Sequence, residues 1–231
     1  MATEVSKGST GSQVLRANGL SITLFTLFLV FWVGQIVAGH RYYNEEQLEH
    51  QQEPVTLAEY LKTGEFVEAT AENWESEFLQ MAAYVIFTVF LFQRGSSESK
   101  KMNGSEEVNR DPRLSRHKRD APWPVRRGGW VLTLYSNSLS LAFLLLFLAS
   151  FILHAIGGTH AHNEEELAHG GKTLTVLQYL QSSQFWFESF QNWQSEFLSL
   201  VAMVLLSVYL RQRGSPESKP VDAAHSETGS E

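Results

Sequence analysis

Two stretches constrain this chain more than anything else in it. LSITLFTLFLVFWVGQIVA runs from Leu20 to Ala38 and LSLAFLLLFLASFILHAI from Leu139 to Ile156, neither with a formally charged side chain. As helices rising 1.5 Å per residue, about 18 residues cover close to the ~30 Å hydrocarbon core of a bilayer. Two shorter apolar runs, Phe78–Phe92 and Phe197–Leu210, follow Trp-containing lead-ins. With those lead-ins each is also long enough to cross. The mean hydropathy of -0.16 hides all of this, because the apolar residues are clumped. The expected architecture is all-α, an integral membrane protein with four transmembrane helices at about 20–38, 75–93, 139–157 and 194–211. Lys7 and Arg16 could lead a signal peptide, but no small-x-small cleavage site is clear and the same kind of segment recurs at Leu139. The first segment is therefore expected to be a retained helix.

The chain also repeats itself. A shift of 119 residues aligns residues 18–100 with 137–219 without a gap, giving 33 identities in 83 positions. The shared motifs are specific: N-E-E-x-L-x-H at Asn44–His50 and Asn163–His169, N-W-x-S-E-F-L at Asn73–Leu79 and Asn192–Leu198, and Q-R-G-S-x-E-S-K at Gln93–Lys100 and Gln212–Lys219. Each copy reads as a helical hairpin of span, outer segment and span, so both enter from the same side as a parallel repeat about an axis near the membrane normal. The expected organisation is an N-tail over 1–17, repeat 1 over 18–100, a mobile linker over 101–130, repeat 2 over 131–219 and a disordered C-tail over 220–231.

Charge sets the orientation. Residues 94–130 hold ten Lys/Arg and five acids, whereas 39–76 hold two Lys/Arg and nine Glu, and 158–195 one Lys and four Glu. Basic segments stay in the cytoplasm, which puts both termini and the linker inside and the Glu-rich segments outside. The linker cluster of Arg113, Arg116, His117, Lys118, Arg119, Arg126 and Arg127 attracts anionic lipid and calls for no nucleic acid. Within the outer segments, Thr56-Leu-Ala-Glu59 and Thr175-Val-Leu-Gln178 fit a capping box opening a short amphipathic helix. Thr63 and Ser182 sit where the next helix could be capped.

Several repeated polar residues are candidates for function. Trp74 and Trp193 suit interface anchors, and Arg94 and Arg213, followed by Gly95 and Gly214 at the C′ position, suit the cytoplasmic helix ends. If the second and fourth spans begin near Asn73 and Asn192, Glu77 and Glu196 are simply favoured by a helix N-terminus. If those helices begin near Phe66 and its counterpart, the same two carboxylates lie inside the helix and could form a proton or cation site near the pseudo-twofold axis. Glu46/His50 and Glu165/His169, spaced i, i+4, together with His160 and His162, could bind a divalent metal such as Zn²⁺ or Fe²⁺, or could cap the loops at headgroup level. A haem reading is weak, since His154 inside the third span is matched by Gln35 in the first. No cofactor is predicted beyond that possible metal. Cysteine is absent, which removes disulfides, thiolate sites and thiol nucleophiles. No Gly-rich phosphate loop, nucleophile elbow or HExxH occurs, so an enzyme is not expected.

On its N-E-E, N-W-E-S-E-F-L-Q-M and Q-R-G-S-x-E-S-K stretches the chain resembles an uncharacterised family of small bacterial membrane proteins, classed as a domain of unknown function and present here as two tandem repeats. The resemblance implies a multi-pass protein of the bacterial inner (plasma) membrane and brings no activity or ligand. The function expected is structural or partner-binding, through a membrane-protein partner or self-association in the lipid bilayer. The alternative is a small proton or divalent-metal channel or transporter using the outer Glu and His residues.

Overall fold

The computed structural model describes residues 10–102 and 106–229. Among the described residues the chain is all helix and turn, in two compact units, 1–66 and 67–231. Four long helices dominate: α1 (Thr10–Glu49), α3 (Gly64–Phe90), α6 (Ser138–Ala168) and α8 (Ser183–Tyr209). Single-turn helices α2 (Leu57–Tyr60) and α7 (Val176–Tyr179) precede α3 and α8, and the linker carries α4 (Trp123–Arg127) and α5 (Gly129–Ser136). The ends of α1 and α6, and both ends of the α2/α7 and α3/α8 pairs, lie 119 residues apart.

In the first unit α1 bends at Asn18, whose φ of -123° leaves the helical region while its side-chain amide donates to the Val14 carbonyl at 3.1 Å. The repeated Asn137 does the same between α5 and α6, donating to the Thr133 carbonyl at 2.8 Å. In both places an asparagine supplies the hydrogen bond that a broken i→i−4 ladder leaves unmade. At the far end of α1 the Asn44 side chain grips the returning loop. It accepts from the Val55 amide at 2.8 Å and donates to the Val55 carbonyl at 3.0 Å. Gln51 turns the chain with a φ of +61°, and its counterpart is Gly170, which adopts this region without strain. The Thr56/Glu59 capping box forms as expected, seating Tyr60 against Gly39 and the rings of His40, Tyr43 and Phe66.

The second unit repeats these devices. Asn163 accepts from the Leu174 amide at 2.7 Å and returns a bond to its carbonyl at 2.9 Å. Thr175 and Gln178 close the second capping box. Thr63 and Ser182 accept from the amides of Phe66 and Phe185, at 3.3 and 3.2 Å, so α3 and α8 start well before their Asn-Trp pairs. Their apolar ends stop at Phe90 and Tyr209, earlier than the Gly C-caps require. Gly95 and Gly214, at φ of +87° and +85°, serve instead in the following turn. That turn explains the retained Ser-x-Glu-Ser-Lys: Ser99 and Ser218 accept from the amides of Gln93 and Gln212, both at 2.9 Å, while Ser96 and Ser215 accept from those of Glu98 and Glu217.

Two segments are more ordered than their composition suggests. The linker winds two 3₁₀ turns over Glu107–Asn109 and Pro112–Ser115, and Arg116 donates to the Arg126 carbonyl at 3.1 Å. The C-tail, expected to be disordered, wraps the buried ammonium of Lys219, which donates to the carbonyls of Ala224, His225 and Glu227. A single cation thus supplies three backbone acceptors with the partner a polar tail otherwise seeks from water.

Of the described helices, two are long and apolar enough to cross a membrane: α1, over Val14–Glu49, and α6. Neither is a buried core helix. None of the apolar window of α1 and 17% of that of α6 lies inside the protein, and side chains such as Leu20, Phe31 and Leu145 point outward. α3 and α8 are polar in their first halves and apolar in their second, and they fall outside that class.

Candidate functional site

Inside the second unit, ionisable side chains collect where ordinary packing excludes them. Glu68, Glu72 and Glu75 recur at i, i+4 and i+7 and so share one face of α3. That face meets α6 at Gly157 and Gly158. A Cβ on Gly157 would stand 2.6 Å from the Glu68 amide nitrogen, and one on Gly158 would stand 2.6 Å from Glu68 Oε1. Two consecutive glycines let the helices approach closely enough for His154, one turn earlier, to enter the acidic face.

His154 is fully buried, and so is Glu75. Nδ1 of the ring lies 2.8 Å from Glu75 Oε2, and the other oxygen of Glu75 accepts from the Trp193 indole at 2.8 Å. Nε2 faces Glu188 Oε2 at 3.5 Å and Glu72 Oε2 at 4.0 Å. Those are charge contacts without hydrogen-bond geometry, and among the described residues Nε2 is a buried nitrogen with no hydrogen-bond partner. Phe185 covers the ring with centroids 4.7 Å apart and joins Ala155 and Tyr179 in a small apolar core.

Tyr179, set by the capping box of α7, reaches across to both remaining carboxylates. Its hydroxyl lies 2.7 Å from Glu188 Oε2 and 2.9 Å from Glu68 Oε1. A phenol has one proton to donate. The second contact therefore becomes a hydrogen bond only when a carboxyl carries a proton of its own. Burial and the neighbouring Glu188 push Glu68 up to about 7, which makes it the carboxyl that carries that proton. Burial also raises Glu188, but His154 together with the Tyr179 and Gln184 side chains outweighs it and draws that carboxyl below its usual range. Burial holds Glu72 above the ordinary range. Burial and the flanking carboxylates raise the Tyr179 phenol, so it stays a donor. Every ion pair of the cluster runs to His154.

The residues singled out by sequence fall differently. Glu77 is exposed and Glu196 half-buried; they interact electrostatically across α3 and α8, Glu77 two residues beyond Glu75 and Glu196 eight beyond Glu188. Between those helices Gln80 donates to the Glu196 carbonyl at 2.8 Å and to Ser199 Oγ at 2.9 Å, and Ser199 is its own counterpart under the 119-residue shift. Glu46, Glu165 and His160 are exposed. His162 pairs with Gln184 at 3.1 Å, and His169 Nδ1 contacts the Glu165 carbonyl at 2.8 Å, which caps the end of α6. Among the described residues, the His and carboxylate group that converges is Glu68, His154 and Glu188, and none of Glu46, His50, His160, His162, Glu165 and His169 belongs to it. Trp193 proves to be a partner of Glu75 as well as an aromatic side chain at the helix mouth. Arg94 and Arg213 are exposed, and the α8 carbonyls of Ser207, Val208 and Leu210 are capped by Arg211 instead.

Comparison with known proteins adds a family without an activity. The chain belongs to the family described as a domain of unknown function (DUF6766), which matches residues 11–230. No match is found among curated proteins or among solved structures.

Proposed function

We propose, for this member of a family with no assigned activity, that the chain is an integral protein of the bacterial inner membrane, structural or partner-binding rather than enzymatic. Its four long helices then make two tandem hairpins from one duplicated ancestor, with the termini and the linker in the cytoplasm. The observation that carries this reading is the surface of α6. An apolar helix far from the N-terminus with 17% of its apolar window buried is unlike the core helix of a soluble protein, and lipid is the solvent that suits it. In this reading the apolar second halves of α3 and α8 share the lipid with α6, and their Glu-bearing first halves stand outside it. The Gln80–Ser199 contact supports the parallel arrangement, because a position that touches its own counterpart lies beside a twofold axis. The buried His–Glu network then ties α3, α6, α7 and α8 together at the outer end, where membrane helices gain from polar contacts beside small residues.

Because the chain has no cysteine, single substitutions report cleanly. Glu46→Cys and Glu165→Cys in intact cells are expected to react with a membrane-impermeant maleimide, and Lys118→Cys only after permeabilisation. Labelling of positions 46 and 165 on opposite faces overturns the parallel hairpins. The transport alternative draws on the nearness of two like-charged carboxylates, Glu77 and Glu196. Reconstituted vesicles with proton or metal flux that Glu77→Gln and Glu196→Gln abolish would favour it, and parent vesicles without flux remove it.

A further inference from the structure

We propose that Glu68, His154 and Glu188 hold a single divalent first-row metal ion of the Zn²⁺, Mn²⁺ or Fe²⁺ class, a site distinct from the exposed histidines of the helix ends. One ligating atom from each of the three lies within 4.8 Å of the others. Acidic clusters are common without an ion, so the weight rests on the imidazole. His154 is fully buried, and its Nε2 has no hydrogen-bond partner while aiming at Glu188 and Glu72. The opposite nitrogen is already engaged by Glu75 at 2.8 Å, and Glu75 is itself held by the Trp193 indole at 2.8 Å. A carboxylate on one ring nitrogen is the arrangement that fixes a metal-binding histidine: it accepts a hydrogen bond from Nδ1–H and so leaves the Nε2 lone pair pointing into the site. In this protein that orienting shell of Glu75 and Trp193 stands behind a nitrogen that faces two carboxylates.

The donor set selects the ion. One imidazole with two carboxylates suits Zn²⁺, Mn²⁺ and Fe²⁺; the nitrogen disfavours Mg²⁺ and Ca²⁺, and the absence of thiolate disfavours Cu(I). Two carboxylates balance the charge of a divalent ion in a place where no Lys or Arg pairs with them among the described residues. Glu72, whose Oε2 lies 4.0 Å from Nε2, stands ready as a fourth donor. Tyr179 bridges Glu68 and Glu188 through its hydroxyl and keeps the two carboxylates on the same side of the ring. Metal bonds of about 2.0–2.2 Å need the ligands to close by roughly an ångström, a movement of side-chain ends alone. The ligands come from α3, α6 and α8, so the ion would join three of the elements that the hairpins bring together. That staple needs no transport and no catalysis.

The test uses the full chain without a His-tag, purified in detergent, stripped with EDTA and titrated calorimetrically with Zn²⁺, Mn²⁺ and Mg²⁺. One equivalent of Zn²⁺ or Mn²⁺ per chain is expected, with Mg²⁺ at least tenfold weaker. Glu68→Gln and Glu188→Gln, isosteric and still able to bond Tyr179, are expected to weaken binding at least tenfold each, while His160→Ala with His162→Ala leaves it unchanged. Should either Gln variant fail to fold, Gly158→Ala serves: the atoms nearest its added Cβ are side-chain atoms of Tyr179 and Glu68, so the substitution crowds the site itself. Visible absorption of Co²⁺ in the parent, displaced by Zn²⁺, reads the nitrogen–oxygen ligation directly. Less than half an equivalent in the parent, equal tightness for Mg²⁺, binding lost with His160 and His162, or binding untouched in the folded Glu68, Glu188 and Gly158 variants each overturns the site.

Discussion

Replacing Gly157 with alanine tests the close approach on which the whole cluster depends. The added Cβ would stand 2.6 Å from the Glu68 amide nitrogen, 3.1 Å from Glu68 Cα and 3.0 Å from Val67 Cγ1, against ordinary contacts of 3.4–4 Å. Two of those three atoms are backbone, so no side chain can swing aside and α6 must retreat by about 1 Å. His154 sits three residues earlier on the same helix and moves with it. Its 2.8 Å contact with Glu75 then passes the limit of a hydrogen bond. Losing a buried charge-assisted bond costs about 1.5–3 kcal/mol, and residual overpacking about 1–3 kcal/mol. The higher helix propensity of alanine offsets about 1 kcal/mol of that. The net expectation is about 2–4 kcal/mol, or roughly 5–15 °C in Tm for a chain of this length. Thermal unfolding in detergent, followed by circular dichroism and tryptophan emission, measures it. Gly34→Ala is the control, because nothing lies within 4 Å of its added Cβ. The repeat already makes the comparison once, since the counterpart of Gly157 is Ala38. A Gly157→Ala protein that melts with or above the parent refutes the reasoning.

Two further outcomes follow from the same geometry. Burial and Glu188 raise the Glu68 carboxyl from 4.5 to about 7, so its contribution to stability is full below pH 4.5 and lost as pH rises through about 7. In EDTA the parent should lose up to about 3 kcal/mol over that window, whereas Glu68→Gln should melt at a nearly constant temperature; a parent whose Tm is flat from pH 5 to 8 refutes the assignment. Trp193→Phe leaves one oxygen of the buried Glu75 without its donor, at a cost of about 1–3 kcal/mol; if Trp193 were only an interface anchor, chemical denaturation would shift by no more than about 0.5 kcal/mol.

The local devices were legible because their causes are local. A capping box needs only Thr at one position and Glu or Gln three later, and both formed. The helices at Thr63 and Ser182 start where a hydroxyl can cap them. The Q-R-G-S-x-E-S-K endings looked arbitrary, yet they too are local: two serines per copy bond amides of the same turn. A buried lysine with three carbonyl partners, by contrast, is invisible in composition.

The cluster escaped notice for a different reason. Attention to what the two copies share points to Glu77 and Glu196, but the buried groups are those on which the copies differ. Glu68, Glu72, Glu75, His154 and Glu188 face Phe187, Gln191, Gln194, Gln35 and Ala69 under the 119-residue shift. Their i, i+4, i+7 spacing on α3 was a visible signal, one that an exposed acidic face shares. Sequence alone determined the helices, their caps and the correspondence at a shift of 119 residues, since backbone hydrogen bonds, turn chemistry and apolar length act over a few residues. That the acidic face of α3 turns inward depended on a pair of glycines about 90 residues away drawing two helices together, and only the folded chain decides that, because burial is a property of neighbours distant in sequence.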